Sequence, residues 1–142
     1  MAKFWSCLLS KSHNPESTRA LTFDGWVADE FARSGGFTAL VILVAIGNLS
    51  VTPQKSTYFH VIGDEIDWLQ VEALLTGSGV AWDGVVFSSL SAEDGGPVTD
   101  DTARAELRLL EQRIVADRMT INDAHFFDGL GRRMQIEEAQ PQ

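Results

Sequence analysis

Residues 38–62 read TALVILVAIGNLSVTPQKSTYFHVI, and the fold follows from how this stretch is divided. Its first part, ALVILVAI at 39–46, is the longest apolar run of the chain. A membrane helix needs about 20 such residues, so the run is too short to span a bilayer. It is rich in Val, Ile and Leu, which pack well on a pleated surface, and Gly47-Asn48 closes it. It reads as a buried strand over 38–46, with a continuation to Val51 past an irregularity at Gly47-Asn48. Thr52-Pro53-Gln54-Lys55 reads as the turn, because proline lacks the donor that a central strand requires. Residues 56–62 return as a second strand, paired with the first as a hairpin.

The rest of the domain builds outward from that hairpin. Upstream, Asp24 is placed to cap a short helix over 25–33, which Ser34-Gly35-Gly36 ends. Downstream, Gly63-Asp64 begins a helix to about Leu75. Ile66, Leu69 and Ala73 form its stripe, widened by Trp68, Val71 and Leu75. Gly77-Ser78-Gly79 stops it, a strand centred on Val85-Val86-Phe87 follows, and residues 91–98 (SAEDGGPV) form the clearest loop. Thr99 then caps the strongest helix, to about Arg118. There Ala103, Leu107, Leu110 and Ile114 share a face, and Asp100 with Arg104 and Arg113 with Asp117 form i,i+4 pairs. Phe126-Phe127, a turn at 128–131 and residues 132–136 make a last hairpin, or a turn feeding one strand. The order α-β-β-α-β-α-β predicts a single α+β domain over 20–138. Its sheet is expected to be mixed, with about four strands and helices packed mainly on one face. A right-handed crossover is expected if the strands flanking the middle helix are parallel neighbours.

Length and composition agree with one globular domain: 142 residues, 44% apolar and 22% charged. Eleven Lys and Arg against 20 Asp and Glu leave a net charge of −9, which disfavours nucleic acid and anionic lipid as partners. A single Cys excludes an internal disulfide and makes the cytosol the default compartment. The first ten residues, MAKFWSCLLS, lack the long apolar stretch and cleavage site of a secretory signal. Residues 1–19 read as a mobile extension. The other reading is a docking arm that offers Phe4, Trp5, Leu8 and Leu9 to a partner. Residues 139–142 read as a polar tail. An aromatic-Asp-Gly string recurs at 23–25, 82–84 and 127–129, and reads as repeated turn chemistry.

The sequence contains no Walker loop, paired zinc cysteines, HExxH, GxSxG or GxGxxG. Four places invite a functional reading beside a structural one. Asp64, Glu65 and Asp67 follow one strand, and Glu93 and Asp94 follow the next. On one edge they would suit a hard cation such as Mg²⁺. The simpler role is a cap at Asp64, with Glu65 and Asp67 complementing the helix dipole. His60, with Asp64 or Glu65 beside it, could act as an acid–base pair in a cleft, yet a mid-strand histidine is more often packed and hydrogen-bonded. His125 and Asp128 are one pair, too few for a site. Arg132 and Arg133 follow a glycine turn that could hold a carboxylate or phosphate, but strand alternation sends them to opposite faces. Trp5, Trp26, Trp68 and Trp82 are many for this length. Trp68 is expected in the core, with Trp26 and Trp82 at element ends and half exposed.

Taken together, the residues favour a non-catalytic cytosolic binding or assembly module that self-associates as a homodimer and requires no cofactor. The alternative is a small enzyme, or a small-molecule or metal-ion binder, that uses the acidic rim with His60 as acid or base.

Overall fold

In the computed structural model, which describes residues 20–47, 50–63 and 65–136, the chain runs helix α1 (Phe23–Ser34), strands β1 (Phe37–Ile46) and β2 (Val51–Val61), and helix α2 (Trp68–Thr76). Strand β3 (Gly84–Leu90), helix α3 (Asp100–Ala116), a 3₁₀ segment (Arg118–Asp123) and strand β4 (His125–Phe127) follow. This is the expected α+β domain with the expected order. The extension at 1–19, the tail at 139–142 and Asp64 lie outside the described residues.

The sheet departs from expectation in two ways. Its order is β2-β1-β3-β4 and every neighbouring pair is antiparallel, so it is not mixed. Strands β2 and β3 do run in the same direction, but β1 lies between them. The reason is in the side chains: β1 is apolar on both faces and needs a partner on each edge, whereas β2 alternates polar and apolar and belongs at the rim. Helices also cover both faces. Phe37, Ala39, Val41 and Leu43 of β1 pack with α1 and α2, while Leu40, Ile42 and Val44 pack with α3. A strand apolar on alternate sides requires two covers, so a single helical layer would have left half of it wet.

The hairpin turn is earlier than the proline implied. Strand β2 already begins at Val51 and carries Pro53 inside it. Pairing jumps from Leu43↔Lys55 to Val44↔Pro53, which leaves Gln54 as a bulge. An edge strand tolerates both, since proline's missing donor and the bulged residue cost little away from the sheet centre.

Caps also differ. Thr22, not Asp24, caps α1 and accepts the Gly25 N–H, while Asp24 accepts the Trp68 N–H at 2.7 Å and ties α1 to α2. Gly35 ends α1 in the left-handed conformation, as expected. Helix α2 starts at Trp68, capped by Asp67 in a reciprocal box with Gln70. Its buried residues are Trp68, Val71 and Leu75, whereas Leu69 is 75% exposed, so the stripe is rotated from the expected one. Helix α3 has the expected Thr99 cap and buried face, but Arg104 pairs with Asp101 rather than Asp100. Asp117 accepts the Met119 N–H at the 3₁₀ segment. Trp26 is buried, not half exposed, amid Phe23, Phe37, Phe87 and Phe127.

Gly84 sits beneath the Phe126 ring, where an added Cβ would come within 2.7 Å of two buried ring carbons. Gly84→Ala is therefore expected to cost about 1–3 kcal/mol in urea unfolding. Gly129→Ala, with nothing within 4 Å of its Cβ position, should change stability little by comparison.

Candidate functional site

The edge strand β2 meets α3 through a row of polar contacts on the face that carries Ser56, Tyr58 and His60. Ser56 hydrogen-bonds to Glu111, and the Tyr58 hydroxyl accepts from Arg104 at 3.2 Å. His60 lies between two elements: Nδ1 is 2.9 Å from Thr38 Oγ1 and Nε2 is 3.2 Å from Asp100 Oδ1. In the neutral ring that donates through Nε2 to Asp100, Nδ1 accepts from the Thr38 hydroxyl. Thr38 Oγ1 in turn accepts the Val98 N–H at 3.0 Å. The His60 hydrogen bond, followed by the Tyr58 hydroxyl, holds the Asp100 carboxyl below its ordinary carboxylate value. Asp101 raises the Arg104 guanidinium above its own.

A hydroxyl, an imidazole and a carboxylate in line resemble a nucleophilic triad in connectivity. Access decides against that use. Thr38 is 0% exposed, and its oxygen is already occupied by Val98. A nucleophile must reach a substrate carbonyl, so the line serves as a strut joining β1, β2 and the start of α3. Thr38 and Asp100 are separated from His60 by 22 and 40 positions, and no sequence spacing pointed to either.

The acidic residues are divided among different tasks. Asp67 is spent as the α2 cap. Glu65 lines a shallow depression of about 280 Å³ with His60 and Gln70 at the end of β2. Glu93 and Asp94 are exposed in the loop after β3, which reaches the same end of the sheet: a Cβ on Gly36 would lie 3.4 Å from Val61 O and 3.6 Å from Gly96 Cα. The loop after β3 therefore approaches the end of β2. Among the described residues, however, no three His, Cys, Asp or Glu side chains come together as a metal-ligand group.

Arg132 and Arg133 diverge, as strand alternation implied. Arg132 closes the 128–131 turn by pairing with Asp128 at 2.9 Å, and Asp128 also accepts the Leu130 and Arg132 N–H groups. Arg133 lies 5.0 Å above the Phe127 ring. Its Nε donates to the Ala20 carbonyl and its Nη2 lies 2.9 Å from His125 Nδ1. It lines a cleft of about 540 Å³ between α1 and β4, together with Ala20, Trp26, Asp29, Ala32, Arg33 and His125. Sequence reading missed the Trp26 and Arg33 side of this cleft, although Trp26, Asp29 and Arg33 lie three and four residues apart on one helical face.

A third feature is an apolar groove of about 240 Å³ between β2 and α2, lined by Val41, Leu43, Phe59, Val71, Leu74 and Leu75, with Lys55 at its side. No protein family, curated protein or solved structure matches this chain.

Thr38→Val should leave the Val98 N–H without its acceptor and cost about 1–3 kcal/mol, read as a lower urea midpoint. Asp100 sets the sign of an acid effect. Because its folded carboxyl titrates low, its contribution is complete above the unfolded carboxylate range and is lost as pH falls through the depressed folded value. The stability gap between the native chain and Asp100→Asn should therefore close as pH falls through the acid range, as followed by urea melts across that range.

Proposed function

We propose that this chain is a non-catalytic, cytosolic assembly module that pairs with a second copy of itself. The observation that carries the reading is the outer edge of β2. This 11-residue strand is the longest of the sheet and ends the order β2-β1-β3-β4, so among the described residues no further strand covers it. A row of open N–H and C=O groups is a template for another strand. Pro53, the bulge at Gln54 and Lys55 guard the first half of that edge, while residues 56–61 carry no such guard.

The opposite edge is treated differently. Strand β4 has three residues and is backed by residues 132–134, with Met134 N–H donating to Phe126 O and Arg133 bridging Phe127. Beside the open edge, Leu74 (71% exposed) borders the apolar groove and Leu69 lies on the same helix. Antiparallel pairing of β2 with its copy about a two-fold axis would join the two sheets and bring Leu74 to the seam, and closed two-fold dimers are the commonest oligomers. No helix among the described residues is long and apolar enough to cross a membrane. The acidic rim keeps less support as an enzyme site, because both ring nitrogens of His60 are already engaged.

Light scattering of the full chain should give twice the chain mass. Leu74→Glu should weaken the dimer by about tenfold or more in dissociation constant while leaving the melting temperature of the monomer unchanged. A native chain that stays monomeric at high concentration overturns the proposal.

A further inference from the structure

The groove between β2 and α2 has a floor from two strands and a wall from one helix. Val41 and Leu43 of β1 form the buried part of the floor, next to Thr57 and Lys55, their partners in register on β2. Along this face β2 changes character. Phe59 and Val61 pack with the core beneath α1 and α2, whereas Thr57 and Lys55, next along the same face, are polar and exposed. Beyond Phe59, β2 therefore puts no apolar side chain over this floor. The wall is Val71, Leu74 and Leu75, and Leu74 is left largely exposed beside the open space.

Charge follows the same direction. The chain carries 20 acidic against 11 basic side chains, yet among the described residues Lys55 is the one charged side chain that lines this groove. By contrast, the cleft at Arg133 includes Asp29 and the depression at His60 includes Glu65. An anion is repelled over most of so negative a surface, and gains where a cation stands without a carboxylate beside it. Lys55 Nζ donates to Ser78 O at 3.1 Å, which holds the ammonium beside the C-terminal end of α2. An ammonium has three donors, so two remain for a ligand. Among the described residues no Asp or Glu forms an ion pair with it.

We propose that this groove binds a medium-chain fatty carboxylate, its tail over Val41, Leu43 and Phe59 and its head at Lys55. The tail withdraws apolar surface of ligand and groove together from water, the wall at Leu74 included. The head meets the two remaining ammonium donors, with the Thr57 and Ser78 hydroxyls on the same lining. A cationic amphiphile would set like charges together at Lys55, and a short acid would leave the floor wet. The volume, about 240 Å³, lies below the roughly 300–1,000 Å³ of sites for drug-sized ligands, which suits a single acyl chain. Every lining residue belongs to one chain, so the site does not depend on self-association.

Octanoate is the probe, titrated into the full chain at constant ionic strength while the Leu and Val methyl signals are followed by NMR. Hexanoate, octan-1-ol and octylammonium are the comparison arms. The expected result is a saturable shift of the Val71, Leu74 and Leu75 methyls with octanoate. Hexanoate, two methylenes shorter, should bind about tenfold more weakly, and octylammonium more weakly than octan-1-ol. Lys55→Gln should weaken octanoate by about fivefold or more and leave octan-1-ol unchanged. Arg108→Gln removes the same charge from an exposed position of α3, on the other face of the sheet, and should leave octanoate unchanged. No saturable shift of these methyls overturns the site, as when residues 1–19 or a second copy already fill the groove. Equal losses in Lys55→Gln and Arg108→Gln, or octan-1-ol binding as tightly as octanoate, overturn the carboxylate assignment.

Discussion

Strand β1 is buried along nearly its whole length, with successive side chains entering two different cores, and the remaining architecture answers to that burial. Its odd positions need α1 and α2 above them, its even positions need α3 below, and its two edges need strands. Each requirement removes apolar surface from water at roughly 25 cal/mol per Å², so leaving any one unmet would expose a row of valines and leucines. The antiparallel arrangement follows from the same demand. The short hairpin places β2 on one edge, and the chain must cross to the other before Val85, Val86 and Phe87 can close it.

The three layers are joined by polar ties as well as apolar contact. Asp24 of α1 caps the amide of Trp68 in α2, and Trp68 Nε1 reaches the carbonyl of Gly129 in the last turn. On the other side, Thr38, His60 and Asp100 link β1, β2 and the start of α3. These ties join residues far apart in sequence and set how the helices sit on the sheet. They also use up groups that looked available for chemistry: Asp67 is a cap, His60 is a strut and Arg132 closes a turn. The acidic chain thus spends much of its polar inventory on its own framework. The edge of β2 and the apolar groove beside α2 remain as its most distinctive surfaces.

Legibility in the sequence was uneven, and the pattern has a physical cause. The cap and buried face of helix α3 were readable, because a Thr cap, an acidic first turn and a four-three-four apolar repeat act within one segment. Its end at Ala116 and the Arg104–Asp101 pair were not. The last residues before Gly35 were equally plain, since a left-handed cap favours glycine. The turn at 52–55 was misplaced, because proline's penalty depends on whether the strand is central or at the rim, and that is decided by the whole sheet. The stripe of α2 was misjudged for a related reason: Leu69 and Val71 are equally apolar, and only the position of the sheet tells which one is covered. The cleft was half visible through Arg133, while its other wall comes from α1, more than ninety residues away along the chain.

By itself, the order of residues determined the elements, their sequence, the burial of β1 and the absence of any segment long enough to cross a bilayer among those described. Those properties are local: they depend on side-chain periodicity, caps and turn chemistry within a few residues. Tertiary structure alone decided the strand order, the two-sided helical cover and the partners of His60 and Arg133. Each of those depends on which distant surfaces meet when apolar area is withdrawn from water, and spacing along a chain does not encode that meeting.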